Sequence, residues 1–342
     1  MRSVLIIAAP ALAAVLTACG GGSSSSGGSG PGGGGSTDRG IANSARLADL
    51  TALRSQCGGA ALPAVTTHEA LTTAAIKHAG WQALDDVGNV PSLNHGEPTD
   101  NALFVHTGIG QRIRAANGGA DIPGTYQYLE DISSQHSLAA MNGLWNTVYH
   151  RVPMLRHRAR RFGYGDMALA RSEFPAANVP AEDPWGNPGG NGYATLEWAA
   201  QTTPGIALSY WPSTGTTAPT TFLSDSESPD PVPSANAVGP PLHAVFPTTA
   251  DFATIVVDLA TSGGVHVPVR LIVGGGTDPA TSGDASNAQT VTDVEGLLDP
   301  GELFAIPLAP LAAGTSYTWS VSGTITGGSA LPPVPAQTFT TP

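Results

Sequence analysis

The hydrophobic period of this chain changes along its length, and that change limits the folds open to it. Leu71, Ala74, Ala75, His78, Trp81 and Leu84 recur mostly every three or four residues, as one face of a helix requires. Val267, Val269, Leu271 and Val273, and later Tyr317, Trp319 and Val321, alternate with period two, as half-buried strands require. An α+β chain is expected, with a helix-bearing unit followed by a β-rich one. Charge divides in the same sense. Residues 38–171 carry 12 basic and 11 acidic side chains, whereas residues 172–342 carry one basic residue, Arg270, and 15 acidic ones. Seven of the nine histidines fall between His68 and His157. Such a shift marks a domain boundary and places side chains of both signs in the first unit. The whole chain is at −12 with a single lysine, Lys77, so it lacks the basic footprint of a nucleic-acid binder.

The two ends of the first 40 residues read differently. Arg2 precedes an apolar run from Val4 to Leu16, too short to span a bilayer comfortably. The run ends in Leu16-Thr17-Ala18-Cys19, which resembles the lipobox of bacterial lipoproteins. The resemblance implies a signal peptide over 1–18, cleavage before Cys19 and acylation of its thiol. It makes a membrane the first expected partner, with the protein extracytoplasmic. Gly20 rather than Asp follows the cysteine, which in a Gram-negative cell points to the outer membrane. Residues 19–40 are a Gly/Ser-rich tether, whose coil reach is about 5–6 Å × √n. Only Cys57 remains, so no intrachain disulfide is available and Cys57 reads as a small buried apolar group.

Ala45–Gln56 reads as a short helix. Thr66-Thr67-His68-Glu69 fits a capping box at the head of the helix that Gly88 and Pro91 stop. Ser134 or Ser137 can cap a further helix running through Leu138, Met141, Leu144, Trp145 and Val148. The Gly- and Asn-rich stretch between these helices shows little periodicity. Met167–Arg171 and Tyr193–Ala199 read as short strands, and the Pro-rich segment 213–241 as an irregular surface connector. Beyond it come β-type runs at His243–Phe246, Ala253–Leu259, Val265–Val273, Leu303–Leu308, Ser316–Ile325 and Gln337–Thr341. Turn residues separate many of them, suggesting a small antiparallel sandwich.

The expected chemistry lies at His95, Glu130 and His150. Two imidazoles and a carboxylate are competent to ligate a divalent metal, or to form a hydrogen-bonded polar network. Their separations fit no short metal motif, so sequence order carries the argument. Ser92-Leu93-Asn94-His95-Gly96-Glu97 follows the long helix, and Leu129-Glu130-Asp131 precedes the next. Trp145-Asn146-Thr147-Val148-Tyr149-His150-Arg151 closes that helix, and Phe162-Gly163-Tyr164-Gly165 follows. This order resembles the CAP superfamily, the SCP domains of cysteine-rich secretory proteins, antigen 5 and pathogenesis-related proteins. Leu129, Asp131 and Tyr149 depart from the family's usual neighbours, and the second glutamate of many members is missing after Trp145.

The resemblance implies an α-β-α sandwich over residues 41–212, with His95, Glu130, His150 and Arg151 at a central cleft. His95, His150 and Glu130 are then the ligands for zinc or another divalent metal. The end of the chain, Leu311 to Trp319 with Phe339-Thr340-Thr341, resembles the last strands of Ig-like or fibronectin-type modules and implies such a sandwich over 242–342. Together these give a cell-envelope lipoprotein that binds a lipid, glycan or protein in its cleft. A metal-dependent hydrolase of a cell-envelope substrate is the first alternative, and a structural adhesin with a degenerate cleft the second. Three further features are weaker. Arg156, Arg158, Arg160 and Arg161 form a basic cluster that suits phosphate, headgroups or carboxylates but is more simply a solvated face. Asp225, Glu227 and Asp230 suit Ca²⁺ or a solubilising loop. His78, on the apolar helix face, reads as a buried, hydrogen-bonded histidine.

Overall fold

The computed structural model describes residues 35–342, apart from 88, 90, 99, 136, 182–192, 202–206, 276–279, 282–286 and 294–295. The expected signal segment and the expected acylation position, Cys19, lie outside the described residues. The fold is α+β. Helix α1 runs from Gly35 to Arg54, so residues 35–40, expected in the tether, are helical. Helix α2 spans Glu69–Asp85, and its cap is His68 rather than Thr66: the His68 Nδ1 accepts from the Ala70 N–H at 3.3 Å. Thr66–Thr67 instead forms the two-residue strand β2. The aperiodic stretch that follows α2 contains α3 (Ile109–Ala116) and β3 (Thr125–Ser133). Next come α4 (Ser137–Trp145), α5 (Arg151–Leu155) and β4 (Ala159–Asp166). Met167–Arg171, expected as a strand, lies in helix α6 (Met167–Glu173), because Asp166 caps it by accepting from the Leu169 N–H at 2.9 Å. A short apolar run cannot separate strand from helix by period alone; the cap decides.

The first sheet has the order β2-β4-β5-β3, with β5 at Ala194–Gln201. Strand β5 is buried from Ala194 to Ala200, so both faces of the sheet are covered. Helix α2 lies directly on β4. A Cβ at Gly163 would stand 2.1 Å from the Thr72 nitrogen, and one at Gly165 would stand 2.1 Å from the Ile76 nitrogen. The Gly-Tyr-Gly step is thus the contact surface that lets helix backbone meet strand backbone. Leu71, Ile76 and Trp81 are fully buried there, each aliphatic side chain contributing about 1.5–3 kcal/mol by burial.

The second unit is a pair of sheets. One has the order β1-β6-β9-β14-β11-β13, built from Gly58–Gly59, Ser209–Trp211, Leu242–Val245, Glu302–Pro307, Val269–Val273 and Asn287–Thr292. The other has the order β12-β10-β15-β16, built from Ala280–Thr281, Phe252–Thr261, Ser316–Ile325 and Val334–Thr340. Val257, Leu259, Trp319 and Phe339 from the second sheet share a buried cluster with Leu271, Leu303 and Ala305 from the first. Two of these strands come from the helix-bearing half of the sequence: β1 pairs with β6, and β6 with β9. Residues 209–211 therefore belong to the sandwich.

The Pro-rich segment is not a surface run. It forms the hairpin β7–β8 (Phe222–Leu223, Ala237–Val238), and Phe222, Val232 and Val238 pack into a second core with Val148, Val152, Phe304 and Ile306. At the seam Arg156 reaches across to Glu302, with Nε–Oε1 at 2.8 Å and Nη2–Oε2 at 2.7 Å.

Candidate functional site

Strand β3 is the edge of the first sheet, and its register with β5 places Glu130 opposite Glu197 and Asp131 opposite Leu196. Side chains alternate along a strand, so Glu130 and Glu197 share one face while Asp131 takes the other. The Glu130 face lies on the side of α2 and α3 and carries a cluster of buried ionisable groups. His78 on α2 has Nδ1 at 3.0 Å from Glu97 Oε1 and Nε2 at 2.9 Å from the Asn94 carbonyl and 3.7 Å from Glu130 Oε2. Arg112 on α3 is fully buried; it donates through Nη1 to the His95 carbonyl at 2.9 Å and through Nη2 to Glu130 Oε2. Its Nε lies 3.6 Å from Glu97 and its Nη2 lies 3.7 Å from Glu197. Glu97 Oε2 in turn accepts from the Val105 N–H at 2.8 Å and the His106 N–H at 3.3 Å.

Three carboxyl groups thus share one guanidinium, and Glu130 and Glu197 are pushed in opposite directions. Burial opposes the charge of Glu130, but His78, His95 and Arg112 overcome it and bring the carboxyl down to about 2. Burial, and then the Glu130 charge, push Glu197 well above the carboxylate range. Both Glu197 oxygens are buried without a hydrogen-bond partner among the described residues. This is the pattern of two acids that cannot both ionise at short range.

His95 is where this cluster meets solvent. Its Nδ1 is 2.9 Å from Glu130 Oε1, and its side chain is 55% exposed while that of Glu130 is fully buried. A carboxylate on Nδ1 fixes the ring so that Nε2 is the nitrogen offered outward.

On the other face of β3, Asp131 Oδ2 accepts from the Trp198 indole N–H at 2.9 Å. Burial pushes Asp131 up to about 7, with His150, Trp198 and His95 opposing. His150 ends the turn before α5. Its Nδ1 lies 3.1 Å from Glu227 Oε1 and 3.2 Å from Thr147 Oγ1. The same Glu227 carboxylate accepts from the N–H groups of Val148 (2.9 Å), Tyr149 (2.6 Å) and His150 (3.3 Å). Burial works against a charged His150, but the Glu227 hydrogen bond and charge raise its pKa above the ordinary value. His95 and Glu130 are therefore brought together, whereas the carboxylate on His150 is that of Glu227.

Arg151 is fully buried. It stacks on Trp211 at 4.1 Å from the ring centroid, lies 5.6 Å from Trp145, and donates to the carbonyls of Trp145 and Pro241. Burial lowers its pKa to about 9. Its geometry is that of a bolt between helix end and connector. Among the other sequence candidates, Cys57 is half-buried and burial pushes its thiol up to about 12. Asp230 accepts from the Val232 N–H at 2.8 Å.

The sequence marks His78 only as a buried, hydrogen-bonded histidine, and nothing in it singles out Arg112, Glu97, Glu197 or Glu227 for the site. The one available signal was His78, a polar residue on an otherwise apolar helical face. As for a metal, both oxygens of Glu130 are committed to His95 and Arg112, so this residue fits an orienting role better than a ligand's. Among the described residues no three His, Cys, Asp or Glu side chains are grouped so as to hold a metal ion. No helix among the described residues is long and apolar enough to cross a membrane. No family model, curated protein or solved structure matches this chain.

Proposed function

We propose that this chain is a cell-envelope lipoprotein with a CAP-like domain and an Ig-like module, binding a lipid, glycan or protein ligand at the cleft where His95 emerges. The observation that carries the reading is the His95–Glu130 pair: an exposed imidazole whose Nδ1 is fixed at 2.9 Å by a fully buried carboxylate. Holding a charged carboxyl in a buried site is costly unless it is paired. Here the pairing orients one polar group toward solvent, where it can meet a hydroxyl, carbonyl or phosphate of a ligand.

Sedimentation of the purified chain with isolated cell-wall glycan, and separately with phospholipid vesicles, tests this. His95→Ala is expected to weaken the retained ligand by about tenfold, the worth of one charge-assisted hydrogen bond, with melting unchanged. Undiminished binding in His95→Ala and His150→Ala together would instead favour a structural adhesin. Mature protein without an acyl group at Cys19 would overturn the lipoprotein part of the reading.

One feature favours a second reading, a metal-dependent hydrolase. His95 and His150 each have Nδ1 on a carboxylate, the outer-shell arrangement common to metal-ligating histidines. A zinc ion held by their Nε2 atoms would supply a water of lowered pKa, with Glu130 and Glu227 orienting the rings. Zinc bound stoichiometrically by the native chain and lost in His95→Ala and in His150→Ala is the expected result under this reading, and absence of binding at any zinc concentration refutes it.

A further inference from the structure

The seam between the helix-bearing unit and the sandwich holds a cavity far from His95 in sequence and built from different residues. Its walls include Arg156, His157, Arg158, Asp299 and Glu302, and its free volume of about 10 Å³ admits one water-sized group. Arg156 and His157 are only 3% and 5% exposed. Three side-chain nitrogens of the wall residues are buried without a hydrogen-bond partner among the described residues: Arg156 Nη1, His157 Nε2 and Arg158 Nε. The other two Arg156 nitrogens are not spare, since Nε and Nη2 already grip Glu302. Buried donors left unpaired cost free energy that an acceptor would recover.

The surroundings are positive. Against the carboxylates of Asp299 and Glu302 stand Arg54, Arg156, Arg158 and Arg160. Asp299 lies 3.5 Å from Arg156 Nε, so both acids are turned toward that one guanidinium. Arg158, Arg160 and Arg161 make no ion pair among the described residues; Arg160 Nε bonds the His157 carbonyl at 2.9 Å and Arg161 Nη1 the Pro123 carbonyl at 3.2 Å. On a chain of formal charge −12, a run of arginines without acidic partners is set apart from its own surface. An aromatic ring flanks Arg158: its guanidinium sits 5.5 Å from the Tyr126 centroid, and Tyr126 is 42% exposed. The local field is felt by His157, which burial and then Arg54 and Arg160 push down to about 4.

We propose that this seam cavity and its arginine mouth bind a phosphate group, with one oxygen seated among Arg156 Nη1, His157 Nε2 and Arg158 Nε. A tetrahedral oxyanion suits the shape. The cavity takes a single oxygen, and the remaining oxygens stay at the mouth within the reach of Arg158 and Arg160, whose forked donors match phosphate. The phosphate can come free from solution or as a headgroup of the membrane to which the chain is expected to be anchored. The proposal is independent of the His95 cleft.

Inorganic phosphate is titrated into the purified full chain while the His157 ring resonances are followed by NMR. Phosphate is expected to shift those resonances, and Arg158→Gln to weaken the effect by about tenfold. Arg160→Gln should weaken it less. Both positions are partly exposed, so the two variants should melt with the native chain. A second arm uses phosphatidic acid vesicles and the chain carrying Cys19→Ser, so that no acyl group contributes. Vesicle binding that falls in Arg158→Gln identifies the headgroup as source; phosphate binding without vesicle binding identifies the free ion. His157 resonances that ignore saturating phosphate, or equal affinity in Arg158→Gln and the native chain, overturn the site.

Discussion

Two buried arginines meet carboxylates in this molecule, and they do so in opposite balance. Arg112, fully buried beneath His95, is the one arginine within 4 Å of Glu97, Glu130 and Glu197 among the described residues. Arg156 at the seam faces two acids, and one of these, Asp299, has a side chain that is 34% exposed. The cluster beneath His95 is in carboxylate surplus, and the Glu197 pKa is pushed up in consequence. The seam is near balance within its own pair and has donor capacity left over on Arg156. A surplus of acid locks a histidine in place; a surplus of donors leaves room for an anion.

The largest expected effect breaks the first of these. Arg112→Met leaves three buried carboxyl groups without their cation and should cost about 3–5 kcal/mol, read from denaturant unfolding. Arg156→Met should cost less. Burial already raises the pKa of Glu302, so it can take a proton, and Asp299 can turn to water. Equal losses would dissolve the comparison.

Titration sharpens it next. Asp131 is pushed up to about 7 and Asp86, also by burial, up to about 6. For a group whose folded pKa is raised, the stabilising contribution is complete below the ordinary value near 4 and is lost as pH rises through the folded value. Stability should therefore fall from about pH 4 to pH 7 through these two groups. Asp131→Asn and Asp86→Asn should each flatten that fall by up to one proton, while still accepting from Trp198 and Ser92 respectively. Glu130 runs the other way: its contribution is present above its ordinary value and is lost only as pH drops toward about 2. Unfolding free energies measured across this range check both signs.

Glu227→Ala removes the acceptor of three backbone N–H groups and should cost about 1–3 kcal/mol. Glu227→Gln keeps an acceptor oxygen but loses the charge, so the His150 pKa should drop relative to the native chain when followed by NMR. The smallest effect belongs to the exposed pair Arg114–Asp121, whose side chains are 45% and 57% exposed. Asp121→Ala should change stability by no more than about 0.5 kcal/mol, a control for the buried networks.

What the sequence discloses and what it hides follow from the same physics. The α+β class was legible in the change of hydrophobic period, and β15 because its burial alternates: it spans Ser316–Ile325 as expected, with Tyr317, Trp319 and Val321 buried. The Gly-Tyr-Gly step lies inside β4 rather than ahead of a strand, because its missing Cβ atoms are what admit helix α2. Strand β3 was not legible, since Glu130 and Asp131 occupy buried positions that an ordinary strand fills with apolar residues. Its charges are satisfied by partners 18 to 67 residues away, Arg112 and Trp198. Helix α6 was misread because its seven residues offer too little period. Glu227 was hidden in a segment whose composition reads as loop, and only the third dimension shows that it grips the turn at 148–150. The His95–Glu130 pairing was expected from motif order; the guanidinium that charges it was not.

The strand at Gly58–Gly59 has a consequence for how the chain is made. Gly58 pairs with Tyr210, across roughly 150 residues of intervening chain, and Tyr210 in turn pairs with Ala244. A contact of such long separation delays folding, because loop closure must precede its reward. Synthesised from the N-terminus, this strand waits through the whole helix-bearing unit and part of the sandwich before its sheet exists. A fragment ending at residue 212 would keep β1 and β6 but bare the edge that Leu242–Val245 covers, and would strip Arg151 and Arg156 of Pro241 and Glu302. An uncovered edge is an invitation to pair with another copy. The halves that the charge pattern separates are thus stitched by their backbone, and the stitch is the last thing sewn.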